Sequence, residues 1–326
     1  MDGLLIIDKP AGPTSHDVVA RVRRALGEPR IGHTGTLDPA ATGVLALVLG
    51  RATRLAQFLT SSDKAYDAVV RFGFATDTGD AQGRAIAAPH GAPAPSREDI
   101  DRALDAFRGT FLQQPPAFSA KKIGGKRSHK LARARARSGA AAADARLKAS
   151  LDACDAPELP VPSVLPAAVN VTVHRLAIVS VEADHVTLSV DCSAGFYVRS
   201  LAHDLGERLG IGAHLAALRR TRAGDFTLDH ALALDAVERD PAAAAAAVRP
   251  MADVLPRVPA VTLTEAGVRR AVNGCELGAR DILGHAIAGR QSREALMRLL
   301  DPAGVLVGIG RVGTAGGVLH PSLILR

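Results

Sequence analysis

Aromatic residues are scarce in this chain. It contains no tryptophan, two tyrosines and eight phenylalanines, and aromatic side chains make up 3% of its residues. Proteins that hold single-stranded nucleic acid commonly stack bases on aromatic rings. Base stacking by aromatic side chains must therefore come from few positions here.

Cysteine is also rare. Cys154, Cys192 and Cys275 are odd in number and far apart, so they give neither a disulfide framework nor a metal-ligand spacing. Two aspartates and a proline interrupt the short apolar run at the start, which is unlike a signal peptide. No apolar stretch is long enough to span a membrane. These absences predict a cytoplasmic protein with no metal site and no membrane segment.

Length and charge give the positive indications. The 326 residues are 47% hydrophobic, which is typical of a globular protein and sufficient for two domains. The formal net charge is +7 and the isoelectric point is about 9.8. A basic protein of this kind is suited to a polyanionic partner.

Residues 32–45 contain several residues that shape the backbone around one carboxylate. Gly32, Gly35 and Gly43 permit positive φ or a close backbone approach, and Pro39 biases Asp38 towards an extended conformation. A strongly apolar run follows, so the stretch predicts a stiff loop held against a buried strand. Such a loop suits a catalytic carboxylate, although Asp before Pro also commonly opens a turn or caps a helix.

The same stretch reads G-H-T-G-T-L-D-P-A-A-T-G-V-L. It resembles, without a gap, the catalytic motif of bacterial TruB-type tRNA pseudouridine synthases, G-H-T-G-x-L-D-P-x-A-T-G-x-L. The resemblance extends over most of the chain. It implies an α+β protein with the pseudouridine-synthase fold: a mixed, mainly antiparallel central sheet flanked by helices, and a small β-rich, PUA-like C-terminal domain.

Three further patterns match this family. The alternating segment 64–72 predicts a strand with Tyr66 on one face, and a tyrosine in such a position is usually a core residue. The segment also matches the family's K-x-Y pattern, whose tyrosine lies over the target uracil, and Tyr66 is the matching residue. Residues 192–201 meet C-S-x-G-x-Y-[IV]-R-[ST]-L, which contains Tyr197 and Arg199. Arg199 stands at a predicted helix start, where the helix dipole disfavours a cation, so a carboxylate partner is expected. By resemblance that partner is Asp38. Residues 210–222 resemble the family's G-x-x-A-x-L-x-x-L-R-R-x-x, and by this resemblance Leu218 packs against the uracil.

A basic segment follows residue 117. Between residues 121 and 137 there are eight lysines and arginines and no acid, which suits contact with RNA phosphates, although most charged runs are solvated surface. Residues 113–126 match the family's Q-x-P-P-x-[FY]-S-A-x-K-x-x-G-K. The predicted phosphate contacts are Lys121, Lys122, Lys126 and Arg127. Lys121 replaces a usual apolar residue, and His129 replaces a common tyrosine.

The predicted organisation is a catalytic domain over residues 1–240 and a PUA-like RNA-binding domain over residues 251–326. The first includes an RNA-gripping segment at 118–137 and an Ala/Pro-rich insertion at 138–168, expected to be partly helical and without chemistry. Ser15 is expected to cap a helix that ends at Gly27. The acids of residues 76–83 do not have the spacing of an EF-hand calcium loop and indicate a turn.

The resemblance implies roles for these residues at uridine 55 in the T loop of tRNA. Asp38 supplies the essential carboxylate and Arg199 keeps it ionised and aimed. Tyr66 stacks on the base and takes or relays the C5 proton, while His33 fills the gap left by the flipped uridine. Tyr197 contacts the substrate or the surroundings of Asp38. No cofactor and no obligatory protein partner are expected, and the chain is expected to be monomeric.

Two alternatives remain at this point. A guide-RNA-dependent pseudouridine synthase shares the catalytic motifs, and a non-catalytic tRNA-binding or tRNA-folding protein would share the basic charge. The intact set of Asp38, Tyr66 and Arg199 favours an enzyme, and the C-terminal unit favours one that acts without a guide RNA.

Overall fold

The structure is a computed structural model, and it describes residues 1–86, 91, 93–118, 122–123, 126–127, 166–284, 295–313 and 318–326. Its helices are α1 (Ser15–Leu26), α2 (Ala56–Thr60), α3 (Arg97–Leu104), α4 (Val198–Arg208), α5 (Leu234–Arg239), α6 (Pro241–Ala246) and α7 (Glu265–Val272). No helix among these is long and apolar enough to cross a membrane.

The strands of the described residues fall into an N-terminal and a C-terminal group. The first group is β1 (Gly3–Lys9), β2 (Ile31–His33), β3 (Thr42–Leu49), β4 (Lys64–Phe72), β5 (Gly109–Gln113), β6 (Lys122–Ile123), β7 (Lys126–Arg127), β8 (Val169–Glu182), β9 (His185–Cys192) and β10 (Ala213–Ala223). The second is β11 (Phe226–Thr227), β12 (Leu232–Ala233), β13 (Arg249–Pro250), β14 (Ala260–Leu263), β15 (Ile282–Leu283), β16 (Leu296–Leu300), β17 (Leu306–Val312) and β18 (Leu319–Ile324).

The chain divides into two compact units by its internal contacts. Unit 1 contains Met1–Leu37, Val44–Thr60 and Gly224–Arg326, and unit 2 contains Asp38–Gly43 and Ser61–Ala223. The division into a catalytic domain over residues 1–240 and a C-terminal domain over residues 251–326 stays a prediction.

Unit 2 is built on an antiparallel sheet with strand order β10-β4-β9-β8-β5. Alternation along β4 buries Ala68, Val70 and Phe72 on one face, as its sequence pattern predicts. Helices α3 and α4 cover this face with apolar stripes that include Ile100 and Leu205. The resulting core holds the start of α4, where Arg199 lies.

Unit 1 contains two sets of paired strands. One set has the order β12-β1-β3, with β13 on β1 and β2 on β3, and its central strands are almost wholly apolar. The other has the order β15-β14-β16-β17-β18, and α7 packs on it through Val268 and Ala271. The mixed, mainly antiparallel architecture and the β-rich C-terminal sheet confirm the predicted fold class.

Helix α1 begins differently from the prediction. Its N-cap is Thr14, which forms a reciprocal capping box with Asp17, so the prediction that Ser15 caps the helix is wrong. The Ser15 hydroxyl instead accepts a hydrogen bond from the backbone N–H of Leu37 at 2.9 Å and donates one to its carbonyl at 3.1 Å. Ser15 therefore fixes the backbone immediately before Asp38.

Gly43 lets the Asp38 loop lie directly on β10. Thr42 and Gly43 pair in parallel with Arg219 and Arg220, and Gly43 has φ +100°. A Cβ atom at Gly43 would lie 2.2 Å from the carbonyl oxygen of Arg220. Glycine is required there for two reasons, backbone conformation and space.

The two reasons can be separated by comparison with Gly12, which has φ +108° but open space, with no atom within 4 Å of the position that a Cβ would take. Gly12→Ala is expected to lower the free energy of unfolding by about 1–2 kcal/mol through backbone strain alone. Gly43→Ala is expected to lose about 2 kcal/mol more because the loop must move off β10. Urea unfolding of both variants measures the difference, and equal losses would contradict the close approach.

Candidate active site

The Asp38 side chain leaves a tight turn. The backbone N–H of Ala41 donates to the Asp38 carbonyl at 3.1 Å, which closes the turn around Pro39. Thr42 attaches the residues after this turn to the sheet, since its hydroxyl lies 3.5 Å from the carbonyl oxygen of Leu218 on β10. The loop is therefore attached on its C-terminal side to the strand that carries Leu218.

Arg199 binds the Asp38 carboxylate through two atoms. Its Nε lies 2.9 Å from Oδ2 and its Nη2 lies 3.2 Å from Oδ1, which is a bidentate, charge-assisted pair. The Arg199 side chain is 7% exposed, whereas that of Asp38 is 39% exposed. The guanidinium is thus shielded from solvent, and the carboxylate is accessible to a ligand.

The remaining donors of Arg199 also have acceptors. Nη1 donates to the carbonyl of Thr78 at 3.0 Å, and Nη2 donates to the carbonyl of Phe118 at 2.8 Å. Asp80 Oδ2 lies 3.9 Å from Nη1, and the Asp80 carboxylate is itself held by the Thr78 hydroxyl at 2.7 Å. These contacts fix the plane of the guanidinium and so the direction of the Asp38 carboxylate.

Residues 76–83 are the turn that the sequence predicts, and no group of three metal-ligating side chains occurs in the described part of the chain. The sequence does not predict that these residues contribute to the site. Leu215 on β10 pairs with Asp80, and its N–H donates to Gly79 at 3.0 Å, so the turn is bound to the sheet. The contact depends on tertiary structure, and the spacing of acids in the sequence gives no signal for it.

The start of α4 is held by the end of β5. Tyr197 is the N-cap but gives no side-chain cap. The buried Gln113 amide instead binds both backbone groups of Tyr197, with Oε1 accepting from the Tyr197 N–H at 2.8 Å and Nε2 donating to the Tyr197 carbonyl at 3.0 Å. Ser200 donates to the carbonyl of Gln114 at 2.7 Å. Arg199 lies between these two anchors, so its position is set by the backbone rather than by its own long side chain.

Tyr66 lies on β4 opposite Arg220 of β10 and Val190 of β9. Its ring packs partly against the core of unit 2. Burial raises the pKa of the Tyr66 hydroxyl, while the charge of Arg220 and a hydrogen bond from its side chain oppose that rise. The negative charge of Asp38 also raises the pKa, which indicates that the phenol and the carboxylate share one electrostatic environment.

Lys64 is two residues before Tyr66, on the same strand. Burial, and next the positive charge of Arg220, lower the pKa of the Lys64 ammonium to about 8. Neither Lys64 nor Arg220 was expected to belong to the site. Both are buried cations on adjacent strands, β4 and β10, and the sequence alone does not show that these strands lie side by side.

The other predicted site residues are placed as follows. Leu218 lies opposite Ala68 and packs partly buried against the same core, and Tyr197 is half-buried at the start of α4. His33 belongs to unit 1, where it ends β2 and makes an edge-to-face contact with His16, with ring centroids 5.3 Å apart. The structure therefore brings Asp38, Arg199, Tyr66 and Leu218 into one unit.

The structure describes the predicted phosphate contacts only in part. Lys121 is outside the described residues. Lys122 and Arg127 pair across β6 and β7, as do Ile123 and Lys126, and only the backbone of these strands is described. Of the predicted insertion, 138–165 is likewise outside the described residues.

Solved structures with a similar fold support the predicted fold class. The archaeal box H/ACA sRNP Nop10–Cbf5 complex matches with a TM-score of 0.68 and 23% identity, over 99% of this chain and 86% of that chain. An H/ACA RNP bound to a substrate RNA containing 2′-deoxyuridine matches with a TM-score of 0.67 and 23% identity, over 99% and 85%. At this identity the likeness shows the fold alone, which is that of the pseudouridine synthases.

Sequence comparisons define the family within that class. Residues 23–150 match the model of the TruB family pseudouridylate synthase N-terminal domain, and residues 199–255 match that of the tRNA pseudouridylate synthase B C-terminal domain. The tRNA pseudouridine synthase B of Solibacter usitatus is 39% identical over 100% of both chains. That of Aromatoleum aromaticum is 45% identical over 74% of this chain and 70% of its own. The chain belongs to the TruB family of tRNA pseudouridine synthases, and it is an isomerase.

Proposed function

We propose that this enzyme converts uridine to pseudouridine at position 55 in the T loop of tRNA, with Asp38 as the essential carboxylate. The observation that carries the proposal is the bidentate Asp38–Arg199 pair, whose carboxylate is exposed and whose guanidinium is buried. The relatives named tRNA pseudouridine synthase B support the substrate class, and position 55 follows from the motif resemblance.

The reaction needs neither an oxidant nor an energy source, because the product is an isomer of the substrate. The bond from ribose C1′ to uracil N1 breaks, the uracil turns, and a bond from C1′ to C5 forms. The proton on C5 then leaves and N1 takes up a proton, so the product is an isomer. The uridine must first leave its stack, since a buried base cannot turn. His33 is proposed to occupy the space that the base vacates.

Three roles for Asp38 satisfy this scheme. The carboxylate attacks C1′, attacks C6 of the base, or removes a ribose proton to give a glycal. All three require an ionised oxygen aimed at the junction of sugar and base. Arg199 provides this by charge and by two directed hydrogen bonds, which a lysine ammonium would not reproduce.

The other residues hold the uracil and the RNA. Tyr66 stacks on the base and accepts or relays the C5 proton, and Leu218 packs on the uracil. Tyr197 contacts the substrate or the surroundings of Asp38. The basic segment, including Lys121, Lys122, Lys126 and Arg127, binds phosphates of the T arm. The enzyme acts as a single chain in the cytoplasm.

A guide-RNA-dependent reaction is the second candidate, because the structural neighbours come from H/ACA complexes. The relatives named tRNA pseudouridine synthase B, at 36–45% identity, favour the stand-alone enzyme. Reaction of the purified chain with an unmodified T-arm stem-loop, mapped by nucleotide, separates the two. Pseudouridine at position 55 without any added RNA or protein supports the stand-alone enzyme, and activity only with a guide RNA would overturn it.

Asp38→Asn is expected to reduce turnover at least about a thousandfold, because the amide supplies neither a nucleophile nor a base. The affinity for tRNA is expected to stay within about tenfold, because phosphate contacts dominate it. Tritium release from C5-labelled tRNA measures turnover, and filter binding measures affinity.

Asp184→Asn is the matched control, since Asp184 is an exposed carboxylate that pairs with Arg71 at 2.9 Å. It is expected to leave both quantities unchanged. Parallel loss of binding and turnover in Asp38→Asn would count against the assigned role, as would retained turnover.

Replacing Lys121 and Lys122 together with alanine is expected to weaken tRNA binding and flatten its salt dependence. Each lost phosphate contact reduces the slope of log K against log salt by about 0.7–0.9, so the pair is expected to reduce it by about 1.4–1.8. Arg102 and Arg239, exposed arginines paired with Asp99 and Asp235, provide a double-alanine control of equal charge. An unchanged slope for the lysine variant would refute the contact.

A further inference from the structure

Arg220 is a buried cation in the sheet of unit 2. It is 3% exposed on β10 and lies directly opposite Tyr66 on β4. Taking a guanidinium out of water is costly unless its donors have acceptors, so a buried arginine generally has a specific partner. The register places its side chain beside that of Tyr66, and Arg220, by its charge and by side-chain hydrogen bonding, lowers the pKa of the Tyr66 hydroxyl against the effect of burial.

The backbone beneath Arg220 is held by the Asp38 loop. Gly43 pairs with Arg220, and the close approach of Gly43 leaves no space for a side chain against the Arg220 carbonyl. The neighbouring Arg219 pairs with Thr42. One strand thus positions both the loop that carries the carboxylate and the guanidinium that holds the tyrosine.

The charged and titratable groups that act on the Tyr66 hydroxyl come from three directions. Arg220 faces it from β10, Cys192 from β9 and Asp38 from the loop. Burial raises the pKa of the Cys192 thiol to about 12, so this group is neutral at physiological pH. Lys64, on the strand of Tyr66 itself, has a pKa lowered to about 8. Of the three facing groups, Arg220 favours the phenolate and Asp38 opposes it.

We propose that Arg220 is a positioning residue for Tyr66, whose hydrogen bond fixes the phenolic oxygen and favours the form that accepts the C5 proton of uracil. In this step the C5–H bond breaks, its electron pair re-forms the C5=C6 double bond, and the electrons of the C6=N1 bond return to N1, which takes up a proton. The proton passes to the Tyr66 oxygen, which becomes a phenol and later loses the proton to solvent. This inference rests on the role of Tyr66 in the proposed function.

The composition of the chain makes the inference directly measurable. There is no tryptophan and there are two tyrosines, so Tyr197→Phe leaves Tyr66 as the only tyrosine and the only strong near-ultraviolet chromophore. The absorbance of tyrosinate then reports the titration of Tyr66 alone, in the RNA-free protein. Lysine ionisation does not contribute to this signal, so Lys64 does not obscure it.

In this single-tyrosine protein, Arg220→Met is expected to move the Tyr66 titration to higher pH by about one unit, which is a tenfold smaller phenolate fraction below the midpoint. Arg220→Lys keeps the charge without the planar donor and is expected to shift it less. Arg71→Met is the matched control, because Arg71 is on β4, the strand of Tyr66, but pairs with Asp184. This variant is expected to leave the Tyr66 titration unshifted. An identical titration in the methionine variant and its parent would overturn the inference.

Should the methionine variant fail to fold, Arg220→Gln tests the same point, because it retains a neutral donor and removes the charge. It carries the same expected direction of shift, and an unshifted titration would overturn the inference equally.

Single-turnover release of the C5 label, with Tyr197 restored, tests the consequence for the reaction. Arg220→Met is expected to be about tenfold slower at neutral pH, with the deficit narrowing as pH rises towards the titration of Tyr66 and with tRNA affinity unchanged. A deficit that is constant with pH would indicate a structural role and overturn the inference. Full activity of Tyr66→Phe would refute the proposed role of Tyr66, whereas the spectroscopic shift would still establish the contact.

Discussion

A buried guanidinium gripping a half-exposed carboxylate is the constraint that organises this molecule. Desolvating Arg199 has a free-energy cost of several kcal/mol, and the Asp38 pair alone is a weak reason for a fold to accept it. The carbonyls of Thr78 and Phe118 take two further donors and so make the burial tolerable. The arrangement leaves the carboxylate partly exposed to solvent, and stability alone would not require that.

Three backbone contacts hold the segments that carry this pair. Ser15 fixes the residue before Asp38, and Gly43 holds the residues after it against β10. Gln113 binds the backbone N–H and carbonyl of Tyr197, so the helix start that carries Arg199 is held by the end of a strand. Each device replaces side-chain freedom with backbone contact, which is how a site keeps its reacting atoms within a fraction of an ångström.

The sequence alone predicts the Asp38–Arg199 contact better than it predicts the residues that support this contact. The dipole argument at the start of α4 predicts a carboxylate partner for Arg199, and the motif resemblance identifies it as Asp38, as the structure shows. The contribution of Asp80 and the pairing of Arg220 with Tyr66 depend on which strands lie side by side, and no local pattern specifies that. Ser15 shows the same limit. Serine is a good capping residue, but in the folded chain the Ser15 hydroxyl contacts the backbone of Leu37 and Thr14 caps the helix.

The most direct test of the central claim is the single-turnover rate of Arg199→Lys on a T-arm stem-loop, with Arg71→Lys as the exposed-pair control. A lysine keeps the positive charge but cannot hold both carboxylate oxygens, so the carboxylate would lose its direction while remaining ionised. The account predicts a rate at least about a hundredfold lower at saturating enzyme, with RNA affinity within about threefold and the control unchanged. A rate within about threefold of the parent enzyme would contradict it.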